Sequence, residues 1–327
     1  MTAAAAERVF LPIEDEMRAV EAEFDRQASS NLQVVNYLGE FLRASGGKRL
    51  RPALLILASK AAGGGERESV IRMATVMEML HTATLVHDDI IDNAETRRNM
   101  PSMNAQFGNQ TAVLMGDWLY MSAFETSLQE RSLRILDILT KLTRKMTEGE
   151  LIQLTLIGKL DISEDDYFEI LKRKTAYLFA ACCEVGAILA DAKEETVTAM
   201  RQFGLELGIA FQMSDDLLDL TSHSETLGKA AGSDLLEGKL TLPLIRLLKS
   251  DAALLPVLER IMREGNYDAM PRADLIARLG SEGVLDSVHS LALEYSARAI
   301  KSLAVLPVSE YRSCLEDVLA FATERKK

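Results

Sequence analysis

An all-α fold is what the sequence predicts, as one bundle of roughly a dozen helices in a single domain over residues 1–327. Three observations carry this. Apolar residues recur at the spacing of one helix face almost throughout, as in Leu133, Leu136, Ile138 or Leu139, Leu142 and Met146. The composition suits helices: 48% hydrophobic, rich in Leu, Ala, Met and Ile, with 7 Pro and only 6% aromatic residues. No segment alternates convincingly in the manner of a strand.

The elements follow from local signals. Pro52, Pro271 and Pro307 suit a first helical turn, and Ser163 with Asp166 three residues later has the spacing of a capping box. The breaks are Ser45-Gly46-Gly47, Gly63-Gly64-Gly65, Asn99-Met100-Pro101-Ser102, the stretch Thr221 to Gly238, and Arg263 to Pro271. None has the composition of a flexible linker. The central helices are apolar on most of their circumference, so they belong inside the bundle.

Charge and cysteine usage exclude several classes. A net charge of −12 argues against a general nucleic-acid binder. Cys182, Cys183 and Cys314 have neither zinc-ligand spacing nor the makings of a disulfide framework, which fits a reducing cytoplasm. Met1 to Phe10 lacks the basic-then-apolar pattern of a signal peptide, and no run reaches membrane-spanning length without charges.

Two clusters carry the functional signal. Asp88-Asp89-Ile90-Ile91-Asp92 and Asp215-Asp216-Leu217-Leu218-Asp219 repeat one Asp-Asp-x-x-Asp spacing inside apolar helical stretches. On a helix the first and last Asp lie a turn apart on one face, where their carboxylates can converge on a hard divalent cation. The middle Asp points elsewhere and serves as a supporting acceptor or a bridge. The clusters read as two facing magnesium sites, because charges in apolar surroundings need partners.

The cations decide the reaction. Gly46-Gly47-Lys48-Arg49-Leu50-Arg51-Pro52 sets Lys48 and Arg51 a turn apart, and Arg97-Arg98 follows the first acidic cluster. Guanidinium forks match phosphate oxygens and Lys adds a point charge, so the set suits a diphosphate. After the second cluster come Gly228-Lys229, Gly232-Ser233-Asp234-Leu235 and Glu237-Gly238-Lys239-Leu240-Thr241-Leu242-Pro243, a phosphate-facing loop with two lysines. Lys174-Thr175 adds a further cation and hydroxyl.

On these motifs the chain resembles the trans-isoprenyl diphosphate synthases, of the long-chain, octaprenyl type, with landmarks in family order from Gly46 through Pro243. The resemblance implies an all-α bundle around a deep central cavity. It also implies magnesium (Mg2+), roughly three ions per site. Asp88, Asp92 and Asp215 would bind it, with Asp219 as a further ligand or, like Asp89 and Asp216, a bridging support. Lys48, Arg51, His81 and Arg98 would hold isopentenyl diphosphate. Arg97, Lys174, Lys229 and Lys239 would hold the allylic diphosphate, with Thr175 and Gln212 near the reacting carbons. The chain departs from the family pattern at Asn99, where Gly is usual, at Ser102, where Thr is common, and at Ser222-His223-Ser224, which lacks a glycine.

The implied reaction is ionisation of the allylic diphosphate, attack by the isopentenyl double bond and loss of a proton. Short-chain relatives place bulky aromatics at the fifth and fourth positions before the first motif. This chain has Ala83 and Thr84 there, with Leu80, Met79 and Val76 beyond and Trp118, Met121 and Phe124 as candidate walls. A long product in the hexaprenyl to decaprenyl range is therefore expected, for quinone side chains or a polyprenyl carrier. Such an enzyme would be a cytoplasmic homodimer with transient membrane contact at product release. The rival readings are a short-chain farnesyl or geranylgeranyl diphosphate synthase, a terpene cyclase, and a non-catalytic regulatory subunit. A cyclase needs no second diphosphate site, and a silent subunit needs no intact aspartates.

Overall fold

A computed structural model describes residues 8–44, 46–98, 100–222 and 231–323. The predicted helices form: α1 Glu14–Gln27, α2 Gln33–Ala44, α3 Leu50–Ala61, α4 Arg67–Ile91, α5 Met103–Phe107, α6 Asn109–Ser127, α7 Leu133–Leu156 and α8 Glu164–Leu171. After a π turn at Lys172–Ala176 come α9 Tyr177–Leu189, α10 Glu194–Thr221, α11 Ser233–Leu236, α12 Leu242–Ser250, α13 Leu255–Glu264, α14 Arg272–Ser281, α15 Val284–Ser302 and α16 Glu310–Thr323. The all-α class holds. Its one exception among the described residues is an antiparallel ribbon pairing Thr96 with Pro101 and Arg97 with Met100. Two residues per strand are too few to show a period of two.

The helix signals act as their chemistry requires. The hydroxyl of Ser163 accepts from Asp166 N while Asp166 accepts from Ser163 N, closing the capping box of α8. Ser102 accepts from Ala105 N at the start of α5 and donates to Ala94 O, so serine supplies the hydroxyl that threonine would. Pro52 and Pro243 sit in the first turns of α3 and α12, whereas Pro271 is the N-cap of α14 rather than in its first turn, and Pro307 lies three residues before α16, in the extended link that follows a 3-10 turn.

The chain divides into two compact units. One takes in the residues up to Thr143, Leu178–Gly204 and Ser302–Val318. Its core is α3 and α4. Ala53 through Ala58 are fully buried, as are Met73, Ala74, Val76, Met77, Met79, Leu80 and Ala83. Helix α4 packs along α6, which offers Ala112, Met115, Gly116, Leu119 and Ala123. Against α3, Gly186 of α9 lies so close that an added Cβ would stand 2.5 Å from Leu55 O and 2.9 Å from Ala58 Cβ.

The other unit comprises Arg144–Tyr177, Leu205–Lys301 and the residues from Leu319 onward. Its core gathers Ile209 and Met213 of α10 with Leu235, Leu242, Leu244, Leu247, Leu258, Ile261, Leu275, Leu279 and Val288. Glu164 at the first turn of α8 pairs with Arg246 at 3.1 Å and Lys249 at 2.9 Å, both on α12.

Candidate active site

In the first unit, Asp88 and Asp89 lie in the last turn of α4 and Asp92 is its C-cap. The helix phase separates them as the spacing predicts. Asp92 is exposed and Asp88 half-buried, whereas Asp89 is 4% exposed. Asp89 turns inward to the fork of Arg97, whose Nε and Nη2 approach its carboxylate at 2.6–2.9 Å. Arg97 stands on the short ribbon, and Arg98 beside it adopts a left-handed backbone with φ 54°. The guanidinium of Arg98 donates to Gly46 O and lies over Gly47, where a Cβ would come within 2.8 Å of its Nη1. This contact ties the Gly-Gly loop to the Arg pair.

A cavity in this unit is lined by Gly46, Arg49, Glu78, Asp89, Arg97 and Arg98, with Phe41, Leu85 and Val86 as apolar wall. Lys48 is exposed on the loop, and Arg51 lies over the ring of Phe179 at 5.2 Å. Burial, then the charges of Arg51, Arg98, Arg97 and Arg49, hold the His81 imidazole well below its usual pKa. His81 is thus a neutral group among guanidiniums, able to donate or accept a hydrogen bond at neutral pH.

In the second unit, α10 carries Asp215, Asp216 and Asp219. Asp216 again turns inward and is 5% exposed. The Tyr167 hydroxyl donates to its Oδ2 at 2.6 Å and Gln212 Nε2 to its Oδ1 at 2.9 Å, while Thr175 donates to Gln212 Oε1 at 2.8 Å. Burial, then the charge of Asp234, pushes the Asp216 carboxyl up to about 7, against the pull of the Tyr167 and Gln212 hydrogen bonds. Asp219 differs from Asp92 in being 3% exposed, with Oδ1 taken by the Ser233 hydroxyl and Oδ2 by Asp234 N, both at 3.2 Å.

A pocket in this unit is lined by Lys174, Thr175, Gln212, Asp216, Asp234 and Lys239, with Leu156, Ile157, Ile162 and Leu171 as apolar wall. Lys174 and Thr175 reach it from the π turn, an irregularity common at functional sites. Lys174 pairs with Glu150 at 2.6 Å and Gln153 at 3.1 Å, and Lys239 with Glu237 at 2.7 Å. Gly238 is required here. Its φ of 79° is strained for a residue with a side chain, and an added Cβ would crowd Gly158 N, the donor to its carbonyl, and Ile157 at 3.1 Å. Lys229 and His223 lie outside the described residues, as does Asn99.

Magnesium takes oxygen ligands, keeps several waters, and is usually held by one or two carboxylates together with substrate phosphates. Among the described residues no three His, Cys, Asp or Glu side chains converge as a closed cage. Asp88 with Asp92, and Asp215 with Asp219, are the carboxylate pairs that would share such an ion with substrate phosphates, Asp219 doing so beside the bonds it already accepts from Ser233 and Asp234 N.

Leu80 and Ala83 are fully buried and Thr84 half-buried, its hydroxyl donating to His81 O at 2.7 Å. None of the three lines the cavity of the first unit. Met121, a candidate wall of the product path, is instead 64% exposed. Sequence reasoning missed Tyr167, Arg49 and Glu78. Glu78 left a signal, a lone acid in the apolar run Val76-Met77-Glu78-Met79-Leu80, whereas Tyr167 reads as an ordinary core aromatic.

A family model described as polyprenyl synthetase matches residues 33–275. The octaprenyl diphosphate synthase of Escherichia coli is 35% identical over 95% of this chain and 96% of its own length. The geranylgeranyl diphosphate synthase of Methanosarcina mazei is 37% identical over 85% of this chain and 84% of its own. Among solved structures, a polyprenyl synthase from Caulobacter crescentus, complexed with calcium and isoprenyl diphosphate, superposes with a TM-score of 0.91 at 36% identity, covering 98% of each chain.

Proposed function

Since the chain belongs to the polyprenyl synthetase family, we propose that it is a magnesium-dependent trans-polyprenyl diphosphate synthase. It condenses isopentenyl diphosphate head-to-tail with an allylic diphosphate to a long-chain product in the hexaprenyl to decaprenyl range, for quinone side chains. The observation that carries this is the matched build of the two acidic motifs. In each, the middle carboxylate is turned inward and fixed, Asp89 by Arg97 and Asp216 by Tyr167 and Gln212.

The residues divide the work. Lys48, Arg51, Arg98 and the neutral His81 grip isopentenyl diphosphate. Lys174, Lys229 and Lys239 hold the allylic diphosphate, with Thr175 and Gln212 beside the reacting carbons. The fork of Arg97 is closed on Asp89, so Arg97 acts by setting that carboxylate. Magnesium, when bound by Asp88, Asp92, Asp215 and Asp219, supplies positive charge to the departing diphosphate oxygens. Apolar walls such as Leu156, Ile162 and Leu171 keep water from the allylic cation. No side-chain nucleophile is needed, and the released diphosphate can take the final proton.

The octaprenyl-forming relative and the small residues at Ala83 and Thr84 support the long product. The short-chain reading rests on the geranylgeranyl-forming relative and on the full burial of Ala83, which close helix packing alone explains. The protein acts as a cytoplasmic homodimer with transient membrane contact during release. Exposed Leu114, Met121 and Leu128, seven residues apart, support a twofold contact, and no described helix is long and apolar enough to cross a membrane.

Incubation with magnesium, labelled isopentenyl diphosphate and farnesyl diphosphate, then reversed-phase sizing of the dephosphorylated products, tests the reading. Products several units beyond the primer are expected. One added unit would move the assignment to the short-chain class, and no incorporation would remove the synthase reading for the isolated chain.

A further inference from the structure

Arg49 belongs to none of the groups assigned above, yet its side chain is held on two helices. It caps α3 in the left-handed region at φ 48°, ψ 36°, a conformation unfavourable for a residue with a side chain. Its side chain is only 12% exposed. Nε bonds Glu21 Oε1 at 2.6 Å and Nη2 bonds Glu21 Oε2 at 3.2 Å. Nη1 bonds Glu78 Oε1 at 2.7 Å, and the guanidinium lies over the buried ring of Phe24 at 5.3 Å from its centroid. Glu78 is itself 4% exposed and stands on α4 three residues before His81.

A buried ion pair of this kind does not explain itself as a source of stability. Removing two charges from water offsets most of their attraction, and apolar replacements of both partners are commonly tolerated. What the pair does specify is position. Three of the five guanidinium N–H groups are fixed by α1 and α4, which holds the peptide at Arg49 against relaxing toward an ordinary helical turn. Lys48 and Arg51 flank that peptide, and Arg98 is tied to Gly46 two residues further back. The cavity lined by Gly46, Arg98 and Asp89 also includes Arg49 and Glu78 themselves.

We propose that Arg49 and Glu78 are positioning residues: their buried pair locks the strained Gly46–Arg49 loop so that Lys48, Arg51 and Arg98 are set for the diphosphate of isopentenyl diphosphate. This rests on the reaction proposed above. It makes the cationic site dependent on a carboxylate that acts through Arg49.

The test is steady-state kinetics on Glu78→Gln, Arg49→Lys and the apolar double variant Arg49→Met/Glu78→Leu, with thermal melts of each. In all three, KM for isopentenyl diphosphate should rise roughly tenfold, with kcat and the KM for farnesyl diphosphate within about threefold of the parent. The double variant is decisive, because the one charge it leaves without its Arg49 partner, Glu21, is 39% exposed and stays hydrated, so the variant should melt near the parent temperature while keeping the raised KM. A double variant with a normal KM for isopentenyl diphosphate overturns the proposal. So does a parallel loss of both KM values and melting temperature in every variant, which would mark a merely structural pair. A parent chain that incorporates no isopentenyl unit overturns the reaction, and this inference with it.

Discussion

The Tyr167 hydroxyl donates to Asp216 Oδ2 at 2.6 Å, linking α8 to the second acidic motif on α10. Both groups are buried, and among the described residues Gln212 is the other donor to this carboxylate. Tyr167→Phe deletes that donor and leaves the ring in place. With a pKa raised to about 7, Asp216 is a part-ionised acceptor, for which a hydrogen bond is worth about 0.5–3 kcal/mol, so kcat should fall roughly two- to hundredfold through loss of carboxylate orientation. Steady-state rates with farnesyl and isopentenyl diphosphates measure this. An unchanged kcat would show that Gln212 alone suffices.

Asp88 and Asp215 should be indispensable to turnover and dispensable to folding. Each is half-buried at its motif's first position, unlike the inward Asp89 and Asp216. Asp88→Ala or Asp215→Ala is expected to lower kcat about a thousandfold or more while leaving the far-ultraviolet circular dichroism unchanged. Near-normal rates in either variant would refute the metal role.

The difference between what was legible and what was not lies in the range of the interactions. Helix class, the Ser163 capping box and the divergence of Asp89 and Asp216 from the first carboxylate of each motif follow from contacts within a turn or two, which spacing encodes directly. The partners of those inward carboxylates do not. Arg97 comes from a ribbon of two residues per strand, and Tyr167 lies 49 residues from Asp216 in sequence. Arg49 carries no such signal, because a guanidinium in a basic run reads as a phosphate ligand or a surface charge, and only the fold reveals Glu21 and Glu78 around it. The asymmetry between exposed Asp92 and buried Asp219 was equally hidden, since it depends on Ser233 and Asp234 folding back over α10.

Gly186 makes a prediction about stability alone. Its missing Cβ admits Leu55 O, Ala58 Cβ and Ser59 N, two of them backbone atoms that cannot swing aside. Gly186→Ala gains helix propensity but forces α9 from α3, and overpacking of this kind costs about 1–3 kcal/mol. Chemical unfolding should show a lowered midpoint. A stabilised variant would mean that the helices separate without penalty.

Glu164 supplies a pH dependence with a defined sign. Burial opposes ionisation there, but hydrogen bonds from Lys249 and Arg246 prevail and hold the carboxyl below its ordinary value of 4.5. A lowered folded pKa contributes stability above the unfolded value, and that contribution disappears as pH falls through the folded one. Lys249 is 60% exposed, so the discounted contribution is about 0.5–1 kcal/mol. Glu164→Gln should therefore be less stable than the parent at pH 7, with the difference shrinking as pH falls below 4.5 and through the folded pKa, as read by urea unfolding. A constant difference across that range would assign the effect to packing.

Product length turns on whether Ala83 and Thr84 border the path of the growing chain or merely let α4 pack closely. Ala83 is fully buried, so Ala83→Phe inserts a ring where little space exists and should cost about 1–3 kcal/mol besides any effect on product. Thr84 is half-buried and accepts a larger side chain more readily. If the path runs along this face, both variants shorten the longest product while the first condensation stays within about threefold of the parent rate. Chromatography of the dephosphorylated products beside a thermal melt separates the two effects. A Thr84→Phe enzyme with an unchanged product ladder, together with an Ala83→Phe enzyme that is only destabilised, would place the floor of the path on another helix.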